Sequence, residues 1–282
     1  MQQAADDDAI RVQIAQMAQD FLALREMKGF LHEMPLDEAY RWQDEFVGIL
    51  SATLGDVAGY KTGGHDPGPG FPTFPPDGIR ATILSGMILP SGTPVRPEDS
   101  VWGFLEADFA LRVGSAAINE AQSDLEILAA LDAVIPFAEI PDPYYEQGTR
   151  TINGTVVANM SSRFAFVGEP VPLEATEECL RRLNSFTFVV TDEHGREIGS
   201  GTMDGYYKPV QVVRWLRDQL HESGKRLEQG QLLSLGNIGI IRQIHGNTPR
   251  GGAPYASNEF TLEYHGLCVD RRAAVTIRLE RR

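Results

Sequence analysis

Apolar residues recur at steps of four and three near the start of the chain: Ile10, Ile14, Met17, Phe21 and Leu24. That spacing draws one stripe along a helix and predicts a packing face rather than a cofactor contact. A second helix is predicted from Asp37 to Leu54, with Tyr40, Val47, Leu50 and Leu54 on its apolar side. Residues 64 to 78 then read GHDPGPGFPTFPPDG. Proline lacks a backbone donor and glycine has too much freedom, so no regular element is expected there. Candidate chemistry on both sides makes a long functional loop preferable to a linker. Beyond it the pattern shortens to strands, in IRATILSG, VWGFLEADFALRV, VIPFAEI and GTVVANMSSRFAFVG, all rich in β-branched and aromatic residues. SFTFVVTDEHGREIGSGTM reads as a hairpin turning near DEHG. Helices are expected over 116–132 and from Pro209, where Val212, Val213, Leu216 and Leu220 recur and Gly224 follows the end. Strands resume at QLLSLGNIGII, FTLEYHGL and AAVTIRLE. The order predicts an α+β fold rather than repeating βαβ units, with an N-terminal helical part over 1–58 and a β-rich catalytic domain over 59–282.

Composition narrows the function more than the fold. The chain has 282 residues, 42% of them hydrophobic, enough for a full core. Its formal net charge of −14 argues against a nucleic-acid partner, which would need a basic surface. No apolar run approaches the ~20 residues that span a bilayer. The opening QQAADDD lacks the basic and apolar regions of a signal peptide. Cys179 and Cys268 are far from a disulfide framework and have no metal-ligand spacing, so a reducing, cytoplasmic setting is expected, with no membrane partner.

The chemistry begins at GFLEADFALRV, residues 103–113, where Glu106 and Asp108 interrupt an apolar run. Residues two apart on a strand face one side, ~7 Å apart. Two carboxylates so placed repel each other and resist desolvation, so something positive must offset them. Three answers are open. Basic side chains could pair with them, Arg112 being on the same parity. The pair could be an acid/base couple for sugar chemistry, which uses carboxyl separations of roughly 5–10 Å. Or a hard divalent cation could sit between them. A third acid, Glu139 in VIPFAEIPDPYY, favours the cation.

The ordered segments AYRWQ, GYKTG, GFLEADFAL, IPFAEI, VVANMSS and PVQVVRWLRDQLHESGKRLEQGQLLSLGNIG resemble one family across most of the chain from about residue 36. It is the fumarylacetoacetate hydrolase superfamily, in its branch of 2-keto-4-pentenoate hydratases and 4-oxalocrotonate decarboxylases. The resemblance implies a rolled mixed β-sheet carrying the site. It implies Mg2+ or Mn2+ held by Glu106, Asp108 and Glu139, the second being Asp where the family has Glu. It implies a family lysine at Lys61 and a substrate-contacting serine at Ser161. Three positions depart from the family pattern: Gly86 stands before Met87, Ala158 replaces the Asp of the serine segment, and GNIG (236–239) replaces a hydroxyl-bearing motif. Asn237 in that motif is a candidate substrate contact.

The activity so implied is hydration of a 2-hydroxy-2,4-dienoate to a 4-hydroxy-2-keto acid in aromatic catabolism, by a homo-oligomeric hydro-lyase. The metal would chelate the 2-keto acid and act as a Lewis acid. Lys61 would bind the substrate carboxylate or shuttle a proton. His65, which titrates near neutrality, is a second candidate acid or base at the start of the Gly/Pro-rich loop. The alternatives are decarboxylation of a 2-keto dicarboxylate, with Arg80 or Arg163 taking the distal carboxylate, and a non-catalytic partner that binds metal and keto acid.

Overall fold

The computed structural model describes residues 2–64, 78–143, 145–146, 149–205, 207–239, 241–245, 255–269 and 271–281. His65 and most of the Gly/Pro-rich segment lie outside them. The chain begins with helices α1 (Gln2–Leu22) and α2 (Leu36–Leu54). Then come strands β1 (Val57–Gly63), β2 (Ile79–Leu84), β3 (Ile88–Pro90), β4 (Pro94–Val95) and β5 (Phe104–Val113). Helix α3 (Asp124–Ala129), strand β6 (Leu131–Ile140), helix α4 (Ile152–Val157), strands β7 (Phe164–Val167) and β8 (Val171–Pro172) and helix α5 (Glu177–Leu183) follow. The last third holds β9 (Thr187–Asp192), β10 (Glu197–Thr202), α6 (Pro209–Glu222), β11 (Leu232–Ser234), β12 (Ile241–Gln243), β13 (Glu259–His265) and β14 (Ala273–Leu279).

Among the described residues two mixed sheets result. The larger has nine strands and runs β2-β1-β11-β5-β6-β7-β3, with β12 beside β5 and β8 beside β6. The smaller runs β10-β9-β13-β14-β4. Alternation along β5 explains the layering. Leu105, Ala107, Phe109 and Leu111 enter a large core shared with α6 and the smaller sheet. Ala110, on the other parity, joins a small apolar cluster with Ile83, Ile135, Phe137 and Leu232. The stripe of α1 packs with α2, β2 and α4 in a separate core that includes Phe21, Phe46, Leu84 and Val156.

Several expectations are corrected. The helical stripe stops at Leu22, and Leu24 takes a left-handed φ of 55° outside the helix. The helix expected over 116–132 is a 3-10 turn, Ala116–Asn119, followed by the short α3, whose Ser123 and Glu126 form a reciprocal cap. GTVVANM is not a strand. Thr151 accepts a hydrogen bond from Gly154 N and starts α4, so a cap and burial override β propensity. Cys179 and Cys268 are joined in a disulfide across 89 positions, where two reduced thiols were expected. Among the described residues no helix is long and apolar enough to cross a membrane.

Candidate metal and keto-acid site

Strand pairing gathers the acids. β5 and β6 are antiparallel, with Glu106 opposite Glu139 and Asp108 opposite Phe137. Directly opposed residues share a face, so all three carboxylates lie on one side of the sheet. On the far side of β5, β11 sets Ser234 opposite Ala110, and the parallel neighbour β1 sets Lys61 beside Ser234. Four strands therefore carry Lys61, Ser234, Asp108, Glu106 and Glu139 to one patch.

The contacts there are close. Lys61 Nζ donates to Glu139 Oε2 as a buried ion pair. Ser234 Oγ lies 2.8 Å from Asp108 Oδ2 and 3.0 Å from Glu139 Oε1. A hydroxyl has one hydrogen, so it donates to one carboxylate at a time. Asp108 Oδ1 accepts from Phe109 N at 2.6 Å. Lys61 and Glu139 are each 4% exposed and Asp108 1%, so little water reaches these charges. Burial pushes the Glu106 carboxyl up to about 7; Lys61 and Arg150 oppose the rise and Glu139 adds to it. Burial and the nearby Glu139 hold Asp108 well above its usual range. Burial would lower the Lys61 ammonium, but Glu139, Glu106 and Asp108 outweigh it, so its pKa is raised and the group is charged at neutral pH.

Tyr264, from the smaller sheet, fixes the spacing of the acid-bearing strands. Its hydroxyl reaches the Asp108 carbonyl, lies 3.0 Å from the Phe137 carbonyl and accepts from Phe137 N at 3.1 Å.

A second group of candidates borders the end of β1. Asn159, Met160 and Ser161 have φ values of 53°, 49° and 55°, three successive left-handed residues without a glycine. Asn159 holds this turn by clamping β2: its Oδ1 accepts from Thr82 N at 2.7 Å and its Nδ2 donates to Thr82 O at 2.8 Å. The strain presents Ser161 Oγ to Tyr145 Oη at 3.1 Å, both buried. A Cβ on Gly63 would meet Met160 Cε at 2.8 Å, which places the turn against β1. On its other side Gly236, at φ 102°, passes the Thr62 carbonyl so closely that a Cβ would lie 3.2 Å from it. Asn237 turns its Oδ1 to Gly239 N at 2.8 Å, a local turn bond. Arg150 is exposed, makes one long bond to Thr155 Oγ1 at 3.5 Å, and acts electrostatically on both Glu106 and Tyr145.

The two arginines expected to receive a second carboxylate are committed elsewhere. Arg80 is opposite Thr62, on the reverse face from Lys61; it stacks 4.1 Å from the Tyr40 ring centroid and donates to Ser223 at 2.7 Å. Arg163 is paired with Asp142 at 2.8 Å and lies over the Phe21 ring. Sequence reasoning also missed Ser234 and Tyr145. Ser234 sits in the apolar strand LLSL, and only cross-strand register shows that it meets the acids.

Donor chemistry fits a hard divalent cation. Three carboxylates against one ammonium leave two uncompensated negative charges when all are ionised, and oxygen donors are what Mg2+ or Mn2+ take. The nest is not already closed: among the described residues no three acidic, histidine or cysteine side chains surround one point. Lys61 holds one oxygen of Glu139 and Ser234 lies against the other, while Ser234 and Phe109 N lie against the two oxygens of Asp108.

This curled α+β arrangement is shared with solved structures of several enzymes. The 4-oxalocrotonate decarboxylase of Pseudomonas putida G7, solved with magnesium and adipate, superposes with a TM-score of 0.75 at 19% identity, over 97% of this chain and 98% of that one. The fumarylpyruvate hydrolase of Pseudomonas aeruginosa, solved with Mn2+ and pyruvate, gives a TM-score of 0.51 at 12% identity, over 78% of this chain and 92% of that one. In sequence, 161 residues are 26% identical to 2-keto-4-pentenoate hydratase 1 of Dechloromonas aromatica (strain RCB). That match covers 56% of this chain and 56% of the relative, so it spans about half the length of the curated protein. No family model matches the chain. The sequence relative carries the name of one activity of the branch that the motifs resemble, and the structural neighbour the name of the other.

Proposed function

We propose that the chain is a divalent-metal-dependent enzyme of 2-keto acids, a hydro-lyase that adds water to a 2-hydroxy-2,4-dienoate to give a 4-hydroxy-2-keto acid. The observation that carries this reading is the buried face on which Glu106, Asp108 and Glu139 meet Lys61 and Ser234. Glu106, Asp108 and Glu139 would hold Mg2+ or Mn2+, which when bound supplies Lewis acidity toward a keto oxygen. Lys61 stays charged at neutral pH, so it binds an anionic oxygen or donates a proton; it does not begin as a base. Tyr145 is pushed up by burial and stays protonated, so the Tyr145–Ser161 pair can orient a substrate oxygen as donor and acceptor. The apolar side chains of Ile83, Phe137 and Leu232 keep water from the same face.

A second reading, decarboxylation of a 2-keto dicarboxylate, is favoured by Arg150. This exposed cation acts on both Glu106 and Tyr145, and among the described residues it makes no salt bridge, so it can receive a distal carboxylate. The two are separated by supplying Mg2+ or Mn2+ with each substrate and following loss of dienol absorbance against CO2 release. Hydration without CO2 supports the first reading. CO2 release from the dicarboxylate supports the second. Undiminished turnover after exhaustive chelation would overturn both, and Mg2+ binding without turnover of any 2-keto acid would mark a non-catalytic binding protein.

A further inference from the structure

Lys61 and a dication make the same demand on Glu139. The ammonium is 4% exposed and sits on Glu139 Oε2, while Ser234 bridges the other Glu139 oxygen to Asp108. Its charge is held by no other carboxylate contact among the described residues. A hard cation drawing on Glu139 needs those same oxygen lone pairs, and two cations sharing one buried carboxylate repel strongly in a region of low dielectric.

We infer that Lys61 is a placeholder cation: it and the divalent ion are alternative occupants of Glu139 Oε2, and metal loading displaces the ammonium and frees it to face the substrate. The inference rests on the metal reading of this site and adds an order of events to it. Without metal, Lys61 keeps the buried Asp108 and Glu139 and the partly exposed Glu106 from facing one another unscreened. With metal, the lysine loses its internal partner and becomes available to an anionic oxygen of the ligand. Ser234 serves both states, because its hydroxyl can rotate between Asp108 and Glu139 and keep the two carboxylates in one donor set. Lysine suits such a role, being a compact charge on a flexible stem that can move without a change of backbone.

Two measurements on the full-length protein test this. Mn2+ binding is measured by titration calorimetry for the wild type and Lys61→Met. In parallel, reductive methylation of Lys61 in the wild type is followed by mass spectrometry with and without Mg2+, with exposed Lys208 as internal reference. The expected results are Mn2+ affinity at least tenfold tighter in Lys61→Met, and methylation of Lys61 several-fold faster when Mg2+ is present. If Lys61→Met does not fold, or if the two measurements differ, the labelling result decides. Wild-type metal binding with a Lys61 methylation rate indifferent to Mg2+ overturns the inference and leaves the metal site standing. Absence of metal binding in the wild type and in the variant overturns the inference and the proposed function together.

Discussion

Raising the pH of the metal-free protein should weaken it, and Glu106 sets the size of the effect. Its carboxyl titrates at about 7 in the folded chain against 4.5 ordinarily, because burial and Glu139 disfavour the charge. Between those values the folded protein keeps a proton that the unfolded chain has released. Stability therefore falls as pH rises through this window, and the loss is complete above about 7. A shift of this size corresponds to about 3 kcal/mol at most, and the partial exposure of Glu106 cuts it to ~2 kcal/mol. For a chain of this length that is roughly 4–8 °C in Tm. The assay is thermal unfolding from pH 5 to pH 8, with and without saturating Mn2+, for the wild type and Glu106→Gln. The metal-free wild type should lose several degrees across the range and Glu106→Gln should lose less. Mn2+ should restore the high-pH end most, because a metal needs the ionised carboxylates. A metal-free Tm that climbs with pH, or a slope identical in Glu106→Gln, would refute the reasoning.

Two further outcomes are expected. Reducing the Cys179–Cys268 bridge, which closes 89 positions, should cost up to about 4–5 kcal/mol on the chain-entropy scale; a Tm unchanged by reductant, with free thiols confirmed by mass spectrometry, would contradict it. Asn159→Ala should remove both bonds to Thr82 and the residue best suited to the left-handed start of the turn, costing about 2–4 kcal/mol by urea unfolding; a loss below ~0.5 kcal/mol would show that the turn is held otherwise.

What could be read from the residues alone divides by distance along the chain. The acids Glu106, Asp108 and Glu139 were legible because each breaks a local apolar pattern, and period-two alternation tells which face they share. Lys61 was visible only through resemblance; its burial against Glu139 depends on β11 lying between β1 and β5, a parallel pairing that no local pattern encodes. Ser234 was hidden for the same reason. Arg80 and Arg163 looked free because their partners, Tyr40, Ser223, Asp142 and the Phe21 ring, come from other segments. The two cysteines were read as separate because spacing does not determine pairing. Thr151 is a start signal for the helix Ile152–Val157, being a threonine directly before its first apolar residue, but the β-branched valines that follow favour a strand.

The Tyr264 hydroxyl reaches back 156 positions to Asp108 and 127 to Phe137. The gap between the two strands bearing the acids is thus governed from the C-terminal end of the polypeptide. During synthesis the acidic side chains emerge long before the phenol that spaces them. A nascent chain halted before β13 would carry every proposed ligand without the phenol that bridges their strands, so that bridge arrives last, with closure of the smaller sheet.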